Sequence, residues 1–207
     1  MWPELAADAR FYCALRWPGR QRSLRRALVW FRSPGLMVLA LQRVSHSYWA
    51  RRASGGWTAR TIAVRIALAL VRRPIVLITK SDVSESVGIG RGTYLSDHGF
   101  LTLTPKSIGS GTLIHERVSV GARAGSGGRG RPTIGENVWI GPDCVIYGEV
   151  SLGDGATVLP GSVVSMNVPA GAVAGGNPAI IVRRGFDNSP LRRTLATDID
   201  PKSLAAK

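Results

Sequence analysis

The chain has 207 residues, room for one core plus a smaller second one, and carries a net charge of +14; its 44% hydrophobic content excludes a disordered polymer. The charge is uneven: residues 1–80 hold 15 Lys/Arg and 2 Asp/Glu, while residues 81–207 hold 12 and 11. No zinc-finger spacing or aromatic–basic RNA motif accompanies this basic segment, so nucleic acid is not expected as a partner.

Residues 1–52 read as helical. Leu24, Leu28 and Phe31, then Leu36, Leu39, Leu41 and Val44, give aliphatic spacing broken at the turn signal Ser33-Pro34-Gly35. Arg16, Arg20, Arg22, Arg25 and Arg26 crowd one region, and Ala53-Ser54-Gly55-Gly56 reads as a loop. Trp57 to Arg73 reads as a second helix, ended by Pro74. It is apolar with Arg60, Arg65, Arg72 and Arg73 at intervals, a pattern that suits packing on a partner helix or contact with a membrane surface. Its most apolar run, Ile62 to Val71, contains Arg65 and is too short to span a bilayer. No charged n-region and apolar h-region open the chain. Cys13 and Cys144 are too few for a disulfide framework and suit a reducing compartment. A cytoplasmic protein, peripheral to the inner membrane face, is the expectation.

A period of six then takes over. Val83, Ile89, Leu95 and Leu101 are in step; the phase slips by one, and Ile108, Ile114 and Val120 continue. Residues 122–133, rich in Gly and Arg, break the pattern as an ejected loop. Ile134, Ile140, Ile146, Leu152, Val158 and Val164 then resume it, with Gly135, Gly141 and Gly153 following three of them. Six fits neither the helical period nor strand alternation; it is a repeat signature of parallel β-helices, with three hexads to a triangular turn. From Phe186 the chain turns polar. The expected organisation is a basic helical domain over 1–80, a β-helix over 81–185 and a flexible tail over 186–207.

The hexads, together with the Gly176-Asn177-Pro178-Ala179 close and the aliphatic-Arg183-Arg184 end, resemble the hexapeptide-repeat acyltransferases, which are left-handed parallel β-helix trimers. Four stretches narrow the resemblance to the serine O-acetyltransferase-like branch and its capsule and exopolysaccharide relatives: 31–49 with its Arg-x-x-His-x-x-Trp segment, Ser81 to Gly92 at the start of the coil, Ser96-Asp97-His98-Gly99-Phe100, and the loop 121–134. The loop's usual Arg-His pair, which holds the amino acid's carboxylate in true serine enzymes, is replaced by Gly130-Arg131. The Asp-His pair sits one residue later within its turn than usual.

The resemblance implies acetyl transfer from acetyl-CoA to a hydroxyl, with no metal. Such chemistry needs a base for the hydroxyl proton and aligned substrates. Imidazole titrates near neutrality, and the chain has three histidines: His46, His98 and His115. His46 reads as structural. His98, after Asp97, matches the family's base. His115, 17 residues on, should lie near it on the neighbouring turn, facing outward. By resemblance, coenzyme A would lie in a groove between coils near Gly121, Gly141 and Ala156, with Arg183 and Arg184 toward phosphate and Arg131 on the acceptor. The acceptor is a sugar hydroxyl in capsule or exopolysaccharide synthesis, favoured by the altered loop, or alternatively L-serine in cysteine biosynthesis. A metal-dependent γ-carbonic-anhydrase-like β-helix and a non-catalytic scaffold are the readings of other classes.

Overall fold

The computed structural model describes residues 2–16, 32–52, 59–122 and 130–193. Leu24, Leu28, Phe31, four of the five crowded arginines, the loop at 53–56 and most of the insert lie outside the described residues. Among the described residues, three helices come first: α1 (Trp2–Arg16), α2 (Pro34–Arg52) and α3 (Ala59–Thr79). The strands are short: β1 Asp82–Val83, β2 Gly88–Ile89, β3 Tyr94–Leu95, β4 Thr102–Leu103, β5 Ser107–Ile108, β6 Leu113–Ile114, β7 Ser119–Gly121, β8 Thr133–Ile134, β9 Trp139–Ile140, β10 Val145–Tyr147, β11 Ser151–Leu152, β12 Thr157–Val158, β13 Val163–Val164, β14 Val173–Gly175 and β15 Ile180–Arg183. The last helix among the described residues, α4, spans Ser189–Arg193.

Up to β13 every third strand enters the same sheet, so the chain coils around three walls; β14 follows in sheet 3 after an isolated Leu152–Val168 bridge. Sheet 1 runs β1-β4-β7-β10-β13, sheet 2 runs β2-β5-β8-β11, and sheet 3 runs β3-β6-β9-β12-β14-β15. All pairings are parallel except the closing β14–β15 pair. The period of six arises because one aliphatic side chain per wall points inward. Registered columns form: Val83, Leu103, Val120, Ile146 and Val164 on sheet 1; Leu95, Ile114, Ile140, Val158 and Ala174 on sheet 3. These residues are buried throughout, and each buried Val, Leu or Ile stabilises the fold by about 1.5–3 kcal/mol. Gly109 and Gly135 meet across two turns so closely that a Cβ on Gly109 would lie 2.3 Å from the Gly135 backbone.

The phase slip has a more local cause than a one-residue shift. Val83 registers with Leu103, not Leu101, and Asp82 to Thr102 takes 20 residues, where Thr102 to Ser119 takes 17. The corner at 96–101 is therefore enlarged, and the next is short. Leu101 is still buried, inside the enlarged corner. The insert makes the turn from Ser119 to Val145 take 26 residues, where Val145 to Val163 takes 18.

The first turn has no turn below it, so β1, β2 and β3 are sheet edges with unpaired backbone groups. The helices supply the missing partners as side chains. Arg72 donates to Val83 O (3.0 Å), His46 Nδ1 to Glu85 O (2.8 Å) and Gln42 to Val87 O (2.6 Å). Arg43 donates to Ile89 O and Gly90 O, and Asp8 accepts from Gly92 N. Tyr12 Oη both donates to Leu95 O and accepts from Leu95 N. Asp8 and Arg43 also form a buried two-point ion pair, with Arg43 Nε 2.6 Å from the carboxylate. Burial pushes the Asp8 carboxyl up, against the pull of Arg43 and the Gly92 amide.

Two expectations change here. Pro74 lies inside α3 instead of ending it. Helical bonding resumes beyond it, with Lys80 N on Val76 O, and the last turn is held by tertiary contacts. Ile75 packs on the core, and the Thr79 carbonyl accepts from Phe100 N and Ser81 Oγ. Such packing outweighs the lost helical hydrogen bond. Residues 186–193 are not a loose tail. Asn188 is buried and donates to the carbonyls of Asn137, Gly155 and Ala156, Leu191 is buried, and Arg192 reaches Gly111 O. Residues 194–207 lie outside the described set.

Candidate active site

Each turn of the coil bends three times. The corner between sheets 3 and 1 holds 96–101, then 115–118, then 141–144, on successive turns. Its first member is the enlarged one. Gly99 is wedged against the end of α3: its φ is +75°, and a Cβ there would lie 1.9 Å from Thr79 O, so no other residue fits. Phe100 follows at φ +59° and is 59% exposed. The corner thus lifts His98 and Phe100 out into solvent.

His98 is the exposed histidine of the three. Its backbone N–H donates to Ser96 Oγ (3.2 Å), and Ser96 Oγ donates to Glu116 Oε2 (3.0 Å) one turn above. Asp97 accepts from Gly35 N (3.1 Å) at the start of α2, so its carboxylate serves a helix N-terminus. Beside them Arg117 forms a two-point pair with Asp143, with Nη2 2.7 Å from Oδ2, which holds the Asp143 carboxyl below its usual range.

His115 shares this corner but not the surface. The two extra residues at 96–101 shift the alignment, so Ser96 N meets Ile114 O, whereas Arg117 N meets Gly99 O. His115 therefore registers with Ser96 and stands two positions off His98. It is 3% exposed, with its ring 4.9 Å from that of Trp139 and Nε2 unpartnered. The outward face expected for it is covered. Burial pulls its pKa below the ordinary 6.5, with Glu116 pulling weakly the other way. Unfolding releases a ring that binds a proton near its ordinary value, so the unfolded state holds more protons as pH falls through about 6.5. The stability His115 contributes is complete above that pH and is lost below it. Thermal melts between about pH 7 and about pH 5 should show this decline, and His115→Phe should flatten it.

The remaining candidates are dispersed. Arg131 lies at the corner between sheets 1 and 2, where Nη1 donates to Ser86 Oγ (3.0 Å), and Ser86 pairs with Ser84. A single chain does not bring it to His98. Gly121 is at that same corner, its carbonyl accepting from Gly148 N. Gly141 is at the His98 corner, under Pro160 and the Trp139 ring. Ala156 is at the third corner, buried, with Asn188 on its carbonyl. These three do not line one groove of one chain. Arg183 lies with its guanidinium carbon 5.2 Å from the Phe186 ring centroid, and Arg184 is exposed nearby.

Sequence reasoning missed Ser96, Glu116, Arg117 and Asp143. They carry no histidine, and the enlarged corner hides their alignment. The one available signal was that Leu103, like Leu101, could occupy the inward position.

The matching family model is the bacterial transferase hexapeptide (six repeats), over residues 131–165. "Serine acetyltransferase 2" of Arabidopsis thaliana is 34% identical over 158 residues, 75% of this chain and 45% of that protein. The serine acetyltransferase of Vibrio cholerae superposes with a TM-score of 0.75 at 22% identity, over 96% of this chain and 71% of that one. The soybean serine acetyltransferase apoenzyme gives 0.68 at 30% identity, over 86% and 69%; that enzyme is also solved complexed with serine. The coil is thus the parallel β-helix expected from the hexads, with the left hand that the resemblance implies, and the chain belongs to the hexapeptide-repeat acyltransferases. Within them its relatives are serine acetyltransferases, and it spans about half the length of the Arabidopsis protein.

Proposed function

We propose that the chain is an acetyl-CoA-dependent serine O-acetyltransferase that uses His98 as general base. The observation that carries the base assignment is burial: His115 is sealed beneath the coil surface, His46 is committed to Glu85 O, and His98 alone of the three is exposed. In this reading the imidazole takes the hydroxyl proton as the oxygen attacks the thioester carbonyl. A C–O bond forms, the C–S bond breaks, and coenzyme A leaves as its thiol. The relatives' names favour L-serine over the glycan suggested by the altered loop.

Arg131 suits a serine carboxylate through two-point hydrogen bonding. It stands at a different corner from His98, so an acceptor held by both needs two chains, which supports a trimer with the site between subunits. Gly141 is then the coenzyme-groove candidate nearest the base, and Gly121 belongs to the neighbour's corner with Arg131. Ala156, Arg183 and Arg184 stand apart from both. The test is thiol release from acetyl-CoA by the purified chain with and without L-serine. Serine-dependent release is expected; release only with a sugar acceptor, or none, would overturn the reading.

A further inference from the structure

We propose that α3 lays its outer face on an anionic phospholipid surface. The helix has two unlike sides. Val64, Leu68, Arg72, Ile75, Val76 and Thr79 are partly or fully buried and turn toward α2 and the coil. The other side carries Ile62, Ile66, Leu70 and Leu77 in one stripe, flanked by Val71 and Ile78. All six are exposed, Leu70 to 69% and Ile78 to 80%. So many large aliphatic side chains on one helix face form a contiguous apolar patch of the kind that marks an interaction surface.

Charge selects the occupant. The sequence of α3 contains no acidic residue, and exposed Arg65, Arg73 and Lys80 lie along it or at its end. Arg73 falls within the apolar stripe itself. The nearest carboxylates, Asp82 and Glu85, are both engaged by Arg72. A second copy laid along the stripe would set arginine against arginine in an apolar contact. A bilayer rich in anionic headgroups meets the arginines with phosphate while the acyl boundary receives the aliphatic stripe. The rest of the N-terminal segment adds attraction, since residues 1–58 carry 10 basic and 2 acidic residues. No helix among the described residues is long and apolar enough to cross a membrane, so the contact is one of lying on the surface.

A cavity of about 500 Å³ opens between α2, α3 and the first turn; its lining joins Leu68 and Leu77 to Arg65 and Arg73, and also holds Asp82 and Glu85, both paired with Arg72. Aliphatic carbon beside guanidinium is the combination that a phospholipid headgroup and its glycerol end require.

The experiment is co-sedimentation of the full chain with vesicles of phosphatidylcholine alone, and of phosphatidylcholine and phosphatidylglycerol in equal parts. Binding to the anionic vesicles is expected, reduced by salt and absent on the neutral ones. Leu70→Glu and Arg73→Glu should each weaken it by about tenfold. Circular dichroism and acetyl transfer of both variants should be unchanged, because the replaced side chains are exposed. Hydrogen exchange on the unaltered chain gives a reading independent of any variant: amides of α3 should gain protection with anionic vesicles. Equal binding to both vesicles, no binding, or no added protection overturns the proposal. So does a Leu70→Glu chain that binds vesicles normally but sediments as a smaller assembly, which would assign the stripe to a second copy.

Discussion

His98→Ala is expected to lower kcat/KM for acetyl transfer by about 10²–10⁴-fold, the usual contribution of a positioned general base. Its melting temperature should match that of the parent, because the side chain is exposed and the corner is held by other groups. Gly99 wedges against Thr79 O, Ser96 bridges to Glu116, and Phe100 N bonds Thr79 O. The measurement is initial rates of thiol release across substrate concentrations, with calorimetry alongside. A variant with the parent's rate would remove His98 from the chemistry. One that loses rate and melting temperature together would make it structural. Replacing Ser96 by alanine offers a graded comparison. It removes the acceptor for the His98 amide and the donor to Glu116 while leaving the imidazole in place, so the expected loss is smaller.

The largest effect on stability is expected from Asp8→Ala. Asp8 is fully buried, and removing it leaves the Arg43 guanidinium, whose side chain is 4% exposed, with only the more distant, partly exposed Glu4 carboxylate at 3.7 Å. Breaking one side of such a pair costs about 3–5 kcal/mol, which urea denaturation would register as a lower midpoint. The double replacement Asp8→Leu with Arg43→Met separates two accounts of the pair. If the pair acted only as two opposite charges, apolar substitutes would recover most of the loss. Arg43 also donates to Ile89 O and Gly90 O. Ile89 O would be left bare, at about 1–3 kcal/mol, while Gly90 O keeps the Thr93 hydroxyl. Incomplete recovery is therefore the expected result, and full recovery would show that the edge contacts contribute little.

The coil was legible because its inward position recurs once per wall, so a plain count by six finds it. Leu95, Ile114, Ile140 and Val158 needed no more than that. What misled the count was local: Leu101 is aliphatic, buried and in phase, yet the registered residue is Leu103. Two extra residues at one corner then turned the 17-residue spacing of His98 and His115 into an offset that leaves one exposed and the other sealed against Trp139. Pro74 was read by a rule of local sterics that tertiary packing overrides. Asn188 read as part of a polar tail and Asp97 as a catalytic candidate beside His98, whereas their bonded partners lie far along the chain. The same holds for Tyr12, Gln42 and Arg43, whose bonds reach across 35 to 83 residues. Periodicity carries no trace of a side chain that bonds to a distant backbone.

The ring of side chains beneath the first turn has a consequence for how the molecule is made. Asp8, Tyr12, Gln42, Arg43, His46 and Arg72 all precede Asp82 in the chain, so during synthesis the foundation leaves the ribosome before the first course is laid on it. Each later turn is synthesised after the one it pairs with, so the order of synthesis favours winding in the direction of translation. The lid is added last, when Asn188 and Leu191 fold back over turns completed earlier.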